Sequence, residues 1–299
     1  MRGSRGRNIL VIAILAIIWG SSFMLMKRGM YTAEKLPIYS PNQVAALRLS
    51  IAAFVMLPFL WIYREYWKKQ YLGWYTIVAL MGSGIPAFLF TNSQQFLHAS
   101  MTGILNAMTP VFTLLVGYLV FKKRVAWYQV VGVLIGLFGA IGLISLRGLG
   151  DSKNMAYSGL IMLATFSYGF SVNTISNKLQ GVPPLAISAF SLIIVGIPCA
   201  IIALASGAPT VFLENEHGVS AFGYIVTLAV MGTALGNLLF FRFTQKVGAL
   251  AASSITYLIP VVAILWGLYD NEPFTWMHAA WAFVILTGIY LVNKPSRRD

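Results

Sequence analysis

The chain has 299 residues, of which 58% are hydrophobic and only 10% charged, with a mean hydropathy of +0.77. Soluble domains carry about 25% charged residues, so a soluble globular protein is excluded, and the net charge of +13 is read as an asymmetry across a membrane rather than as a nucleic-acid-binding surface. One cysteine, Cys199, excludes an internal disulfide framework and a cysteine-based metal site.

About 20 apolar residues cross a bilayer as a helix. Ten such stretches are predicted in chain order: Ile9–Met26, Asn42–Ile62, Trp74–Leu97, Thr102–Phe121 and Trp127–Leu146, then Ala156–Asn177, Leu185–Ser206, Ala221–Phe243, Ala249–Tyr269 and Trp276–Val292. The start, with Arg2, Arg5 and Arg7 ahead of an apolar run, resembles a signal peptide. The run is too long for one and no small-residue cleavage site follows, so it is read as the first span. The longest loops are expected near Gly29–Pro41, Arg147–Met155 and Gly207–Ser220.

The stretch Ala79–Val111 recurs without a gap as Ala229–Val261, with nine of 33 positions identical, including Met81-Gly82/Met231-Gly232 and Pro110-Val111/Pro260-Val261. The chain is thus one unit used twice, divided as 1–150 and 151–299 with five spans each. An odd number of spans inverts the second unit relative to the first. Fourteen basic residues fall in the segments on the side of the N-terminus and five on the other side, which predicts both termini cytoplasmic. After the fourth span stands Lys122-Lys123-Arg124 and after the ninth Glu272-Pro273-Phe274, a charge reversal expected of inverted repeats. The fold class is therefore an all-α polytopic membrane protein, ten transmembrane helices as two inverted five-helix repeats.

Trp19-Gly20-Ser21-Ser22-Phe23 in span one, its counterpart Tyr168-Gly169-Phe170-Ser171 in span six, Arg48, Pro110, Pro260 and Glu272 together resemble the drug/metabolite transporter superfamily, in particular its ten-helix group with two EamA domains. The resemblance implies transport through a central cavity lined by spans 1, 3, 4, 6, 8 and 9. The first half departs from the pattern, with Lys122 where the second half has its acid.

Polar residues inside a membrane are costly and mark function by default. The candidate substrate-binding set is Trp19, Ser22, Arg48, Asn92, Gln95, Asn106, Tyr168, Asn173, Asn237 and Tyr257. Trp19 and Ser22 share a helix face at i, i+3 spacing; Tyr257 lies one turn before the helix-breaking Pro260. Such amides, hydroxyls and aromatic faces suit a neutral or zwitterionic molecule with an apolar part. Each residue has an alternative use in helix packing. No Asp or Glu lies mid-span, which points away from direct proton coupling and toward facilitated export or exchange. Gly148-Leu149-Gly150-Asp151 and Tyr269-Asp270 resemble motifs of intramembrane aspartyl proteases, but their order is reversed and both fall at span ends.

The function expected is secondary export of small metabolites, amino acids or related amphipathic compounds, across the inner membrane by alternating access. A multidrug, nucleotide-sugar or phosphorylated-metabolite carrier is the alternative, and a non-transporting scaffold or intramembrane enzyme the alternative of another class. No catalytic residue, cofactor or metal is expected. The partners expected are a small-molecule substrate and the lipid bilayer, not nucleic acid, with a monomer as the unit.

Overall fold

Inside a bilayer every backbone N–H and C=O needs a partner within the protein, and a helix supplies them all from its own chain. The computed structural model describes residues 2–146 and 152–293, with side chains for 9–146 and 155–292. Among the described residues the one β-pairing is an isolated bridge between Tyr31 and Pro37. Ten long helices carry the fold: α1 Arg2–Met30, α2 Pro41–Ile62, α3 Lys69–Ser93, α4 Ala99–Leu119, α5 Trp127–Ser145, α6 Ser152–Lys178, α7 Pro184–Ala205, α8 Gly218–Val247, α9 Ala249–Tyr269 and α10 Trp276–Asn293. Nine are long and apolar enough to cross a membrane, and α10 is apolar but shorter. Of the charges counted for topology, Arg2, Arg5, Arg7, Arg147, Asp151, Lys153, Lys294, Arg297 and Arg298 lie outside the described side chains, as does the Gly148–Asp151 motif.

Several boundaries differ from the hydropathy reading. Helix α1 continues to Met30, so Lys27 and Arg28 form its last turn instead of a loop, where cations complement the helix dipole. Helix α3 ends at Ser93, and residues 94–98 form the turn into α4, which begins at Ala99 rather than Thr102. The expected loop Gly207–Ser220 contains a short helix, Ala208–Glu214, entered through Gly207 in the left-handed region at φ 76°.

Four of the helices are interrupted, at repeat-equivalent places. In α3 the segment Leu80–Gly84 is wound as a π-helix just ahead of Pro86, which has no N–H for the preceding turn. Helix α8 carries a π segment at Leu228–Leu235, without a proline. Helix α4 breaks at residues 107–108 and α9 at a 3₁₀ turn, Ser254–Tyr257, each followed by a segment with its proline at the second position, Pro110 or Pro260. The wide turns of π segments are frequent at functional sites, and a mid-helix 3₁₀ stretch often marks a functional hinge.

Helix α2 packs along α7, and α5 along α10, again equivalent pairs of the two halves. The second contact is backbone to backbone: a Cβ on Gly132 would stand 2.5 Å from the Gly288 carbonyl oxygen. Hydrogen bonds between loops and helix ends fix the inversion. At one end of the bundle Tyr39 Oη donates to Gly218 O (3.3 Å), Gln43 Nε2 to Ser206 O (2.7 Å) and Ser93 Oγ to Tyr157 O (2.9 Å), joining the starts of α2, α6 and α8 to the ends of α1, α3 and α7. At the other end Gln245 Nε2 donates to Leu179 O (2.7 Å) and Val182 O (2.8 Å). Glu272 lies at the first end and Lys123 at the second.

Candidate functional site

Where the interrupted helices meet, they enclose a cavity of about 80 Å³ between the two halves. It is lined from α1 by Trp19, Ser22, Phe23 and Met26, from α2 by Arg48, from α3 by Ser83 and Phe90, and from α4 by Asn106 and Thr109. Tyr168 and Ser171 of α6, Thr233, Asn237, Phe240 and Phe241 of α8, and Thr256 of α9 complete it. Helices α5, α7 and α10 contribute no lining residue among those described.

The widened turns supply much of the polarity. Trp19 Nε1 donates to the Gly232 carbonyl at 3.0 Å, inside the π segment of α8. Thr233 Oγ1, also in that segment, accepts from Arg48 Nε at 2.7 Å. Asn237 Nδ2 donates to Ser83 Oγ at 3.0 Å, tying α8 to the π segment of α3. Asn106 leaves its Oδ1 without a partner although the residue is only 5% exposed. Thr109 Oγ1 bonds back to Asn106 O (2.7 Å) and Thr256 Oγ1 to Ser253 O (2.8 Å), each to the carbonyl three residues earlier. Aromatic rings close the space: Phe90 lies 5.9 Å from Phe23 and 6.0 Å from Tyr168, and Trp19 lies 5.0 Å from Phe240.

Six of the ten candidates, Trp19, Ser22, Arg48, Asn106, Tyr168 and Asn237, thus share one cavity. The other four are placed elsewhere. Asn92 lies in the last turn of α3, donating to Asn42 Oδ1 (2.9 Å) and Phe88 O (2.9 Å), and Gln95 is exposed in the turn beyond it. Asn173 is spent on structure, donating to Thr113 O (2.8 Å) and Gly169 O (2.9 Å) to lock α6 against α4. Tyr257 turns away from the cavity and donates to Ile289 O of α10 at 2.9 Å. Sequence reasoning missed Ser83 and Thr233. The signal was present, since they are equivalent small polar residues directly after the repeated Met-Gly pair.

A second polar group closes the Glu272 end. The Glu272 carboxylate is 6% exposed, accepts from the backbone N–H of Ala99 (2.9 Å) and Ser100 (3.1 Å) and from Ser100 Oγ (3.0 Å), and pairs with Lys27 Nζ at 3.1 Å. Lys27 also pairs with Asp270, which Arg28 engages at 2.7 Å. Burial pushes the Glu272 carboxyl up, but the two backbone donors and Lys27 outweigh it and hold it below the ordinary carboxylate value. At the opposite end Lys123 is half-buried, and burial pushes its amine below the ordinary lysine value. The structure shifts the expected register by one. Lys122 (φ 53°) matches Asn271 (φ 55°), both left-handed, so Lys123, not Lys122, takes the place of Glu272. Each then bonds back through its N–H to an equivalent glycine carbonyl, Lys123 to Gly117 (2.9 Å) and Glu272 to Gly267 (2.8 Å).

Comparison with known proteins gives a consistent picture. The family model described as "EamA-like transporter family" matches twice, over residues 6–145 and 156–294. An "uncharacterized transporter" of Archaeoglobus fulgidus is 24% identical over 95% of this chain and 98% of its own length. A WAT1-related chloroplastic protein of Arabidopsis thaliana is 25% identical over 94% of this chain and 68% of its own. The "uncharacterized inner membrane transporter" YedA of Escherichia coli is 25% identical over 85% of this chain and 79% of its own. A solved crystal structure superposes with a TM-score of 0.63 at 15% identity, covering 99% of this chain and all of the other, which is a likeness of fold.

Proposed function

The chain belongs to the EamA-like transporter family and is a multi-pass membrane protein; on that premise we propose that it exports small metabolites, amino acids or related amphipathic compounds, across the inner membrane by alternating access. The observation that carries this reading is the enclosed cavity at the junction of the halves, lined from α1, α2, α3 and α4 on one side and α6, α8 and α9 on the other. Sites at the interface of inverted repeats serve carriers because either half can rock about a fixed centre. We take the halves as residues 1–150 and 151–299, both termini as cytoplasmic, and the Glu272 end as external. A monomer suffices, since one chain surrounds the cavity.

At about 80 Å³ the cavity is far below the roughly 300–1,000 Å³ of drug-sized sites. The conformation is therefore read as closed, and substrate enters only when one end opens. Lys27, Asp270, Glu272 and the start of α4 would part for release to the outside. A phosphorylated cargo would call for more than one cation, and Arg48 is the single charged residue of the lining. No catalytic step is part of the proposal.

Counterflow in proteoliposomes with a panel of amino acids, organic acids and nucleotide sugars tests it. Accumulation of at least one labelled compound against its unlabelled counterpart is expected. Correctly inserted protein that moves none of them would sink the reading.

A further inference from the structure

The lining of the cavity carries a formal charge of +1 that no acid among the described residues balances. Arg48 is its one charged member, and among the described residues no Asp or Glu lies within ion-pair distance of it; the ion pairs of the described chain involve Lys27, Arg28 and His98. A guanidinium cannot shed its proton to escape burial. Its protein contacts are the bond from Nε to Thr233 Oγ1 at 2.7 Å and a weak one from Nη1 to Met26 Sδ at 3.9 Å. These pin the plane of the group and leave donors toward the cavity. A pinned guanidinium with spare N–H groups is the geometry that receives a carboxylate. Also in the lining, Asn106 Oδ1 is a buried acceptor without a hydrogen-bond partner in the protein, and a donor on a bound molecule would satisfy it.

Resting on the transport reading above, we propose that the substrate is an organic monoanion: one carboxylate paired with Arg48, a hydrogen-bond donor for Asn106, and an apolar or aromatic body against Trp19, Phe90 and Phe240. Its net charge of −1 neutralises the lining. A zwitterionic amino acid leaves the site at +1 and brings an ammonium that finds only neutral acceptors and ring faces. Carboxylates lacking a free ammonium are therefore preferred over the parent amino acids. The same charge count supplies the driving force. A monoanion leaving an inside-negative cell runs down the membrane potential, by about tenfold in concentration ratio per 59 mV, with no carboxylate relay or coupling ion required.

The test compares three compounds on one skeleton, 3-phenylpropanoate, phenylalanine and phenethylamine, with net charges of −1, 0 and +1. Binding is read by quenching of tryptophan fluorescence and by thermal shift in nanodiscs, and efflux in proteoliposomes with an imposed potential. The acid is expected to bind at least about tenfold more tightly than the amino acid, a difference of about 1.4 kcal/mol, with the amine weakest. An inside-negative potential should speed efflux of the acid but not of the amino acid. Arg48→Gln should abolish the order and Arg48→Lys retain part of it. Equal or tighter binding of phenylalanine overturns the proposal, as does full displacement of the acid by chloride at equal concentration. An Arg48→Gln protein that keeps the order overturns it as well; if that variant does not fold, the wild-type series decides alone. Preference for the amino acid with robust flux would leave the transporter reading standing. Anion binding without any flux would do the reverse.

Discussion

The Glu272 end and the Lys123 end are built on one local geometry and used in opposite ways. In each, a left-handed residue turns the chain after a broken helix, Asn271 or Lys122, and the next residue bonds back to a glycine carbonyl, Gly267 or Gly117. At Glu272 the folded-back side chain is an acid and meets two backbone N–H groups, a serine hydroxyl and Lys27. At Lys123 it is an amine whose stem folds back beside Gly117, and no acid among the described residues pairs with it. Duplication therefore supplied the shape of both closures, and one substitution decided their strength. One end is fastened by charge; the other carries a half-buried cation that burial disfavours.

Glu272→Gln gives the largest effect expected of that comparison. It removes the charge but keeps the size, weakening charge-assisted hydrogen bonds from Ala99, Ser100 and Lys27. The closed form should lose roughly 2 kcal/mol, a shift of about 30-fold toward opening at that end. Labelling of a Met26→Cys probe in a Cys199→Ser background by a membrane-impermeant thiol reagent reads it directly. An unchanged labelling rate would mean that the ion pairs decorate the end without holding it.

The converse change is Lys123→Met, smaller and of opposite sign. It removes a half-buried amine that burial already pushes toward neutrality, so it should raise stability by up to about 1 kcal/mol. A Tm gain of a few degrees with no added labelling at the Glu272 end is the expected result. A loss of Tm would show that Lys123 has a favourable partner after all.

Titration should separate the two ends by pH. The Glu272 carboxyl is lowered from its ordinary value of 4.5, so its contribution is fully present above about 4.5 and is lost as pH falls through the lower folded value. Lys123 is lowered from 10.5. The folded state there favours the neutral amine, so stability rises with pH once the folded value is passed and levels off above 10.5. Labelling at the Glu272 end, taken relative to an always-exposed cysteine at the same pH so that the falling thiolate fraction cancels, should accordingly be flat from neutrality down to about pH 4.5 and increase only below it, a profile that Glu272→Gln abolishes.

How much of this was legible before the structure varies with the kind of information each feature needs. The ten helices and their inversion follow from hydropathy, an odd span count and the Lys/Glu reversal, all of which lie along the chain. Arg48, Asn106 and Asn237 could be named because an amide or guanidinium in a span has few inexpensive uses. Which way such a group faces is another matter. Asn106 and Asn173 are the same residue type in similar apolar surroundings, yet one lines the cavity and the other donates across to Thr113 O. That depends on the carbonyl of a neighbouring helix, which no spacing records. The slip between Lys122 and Lys123 has a similar origin, because the two turns differ in length by one residue and a gapless alignment cannot carry that.

The smallest effects concern residues that the sequence placed in the site and the fold places outside it. Asn92 joins the end of α3 to the start of α2 through Asn42, and its surroundings are partly exposed, so Asn92→Ala should change the apparent KM for transport by less than about twofold. Tyr257→Phe removes one hydrogen bond, from Oη to Ile289 O at 2.9 Å, and should lower stability by about 1 kcal/mol while leaving binding alone. Both stand against the two ends as controls: they alter contacts of the bundle without altering a charge at either closure. A Tyr257→Phe protein with unchanged Tm and impaired binding would return that hydroxyl to the cavity and overturn its assignment to the α9–α10 contact.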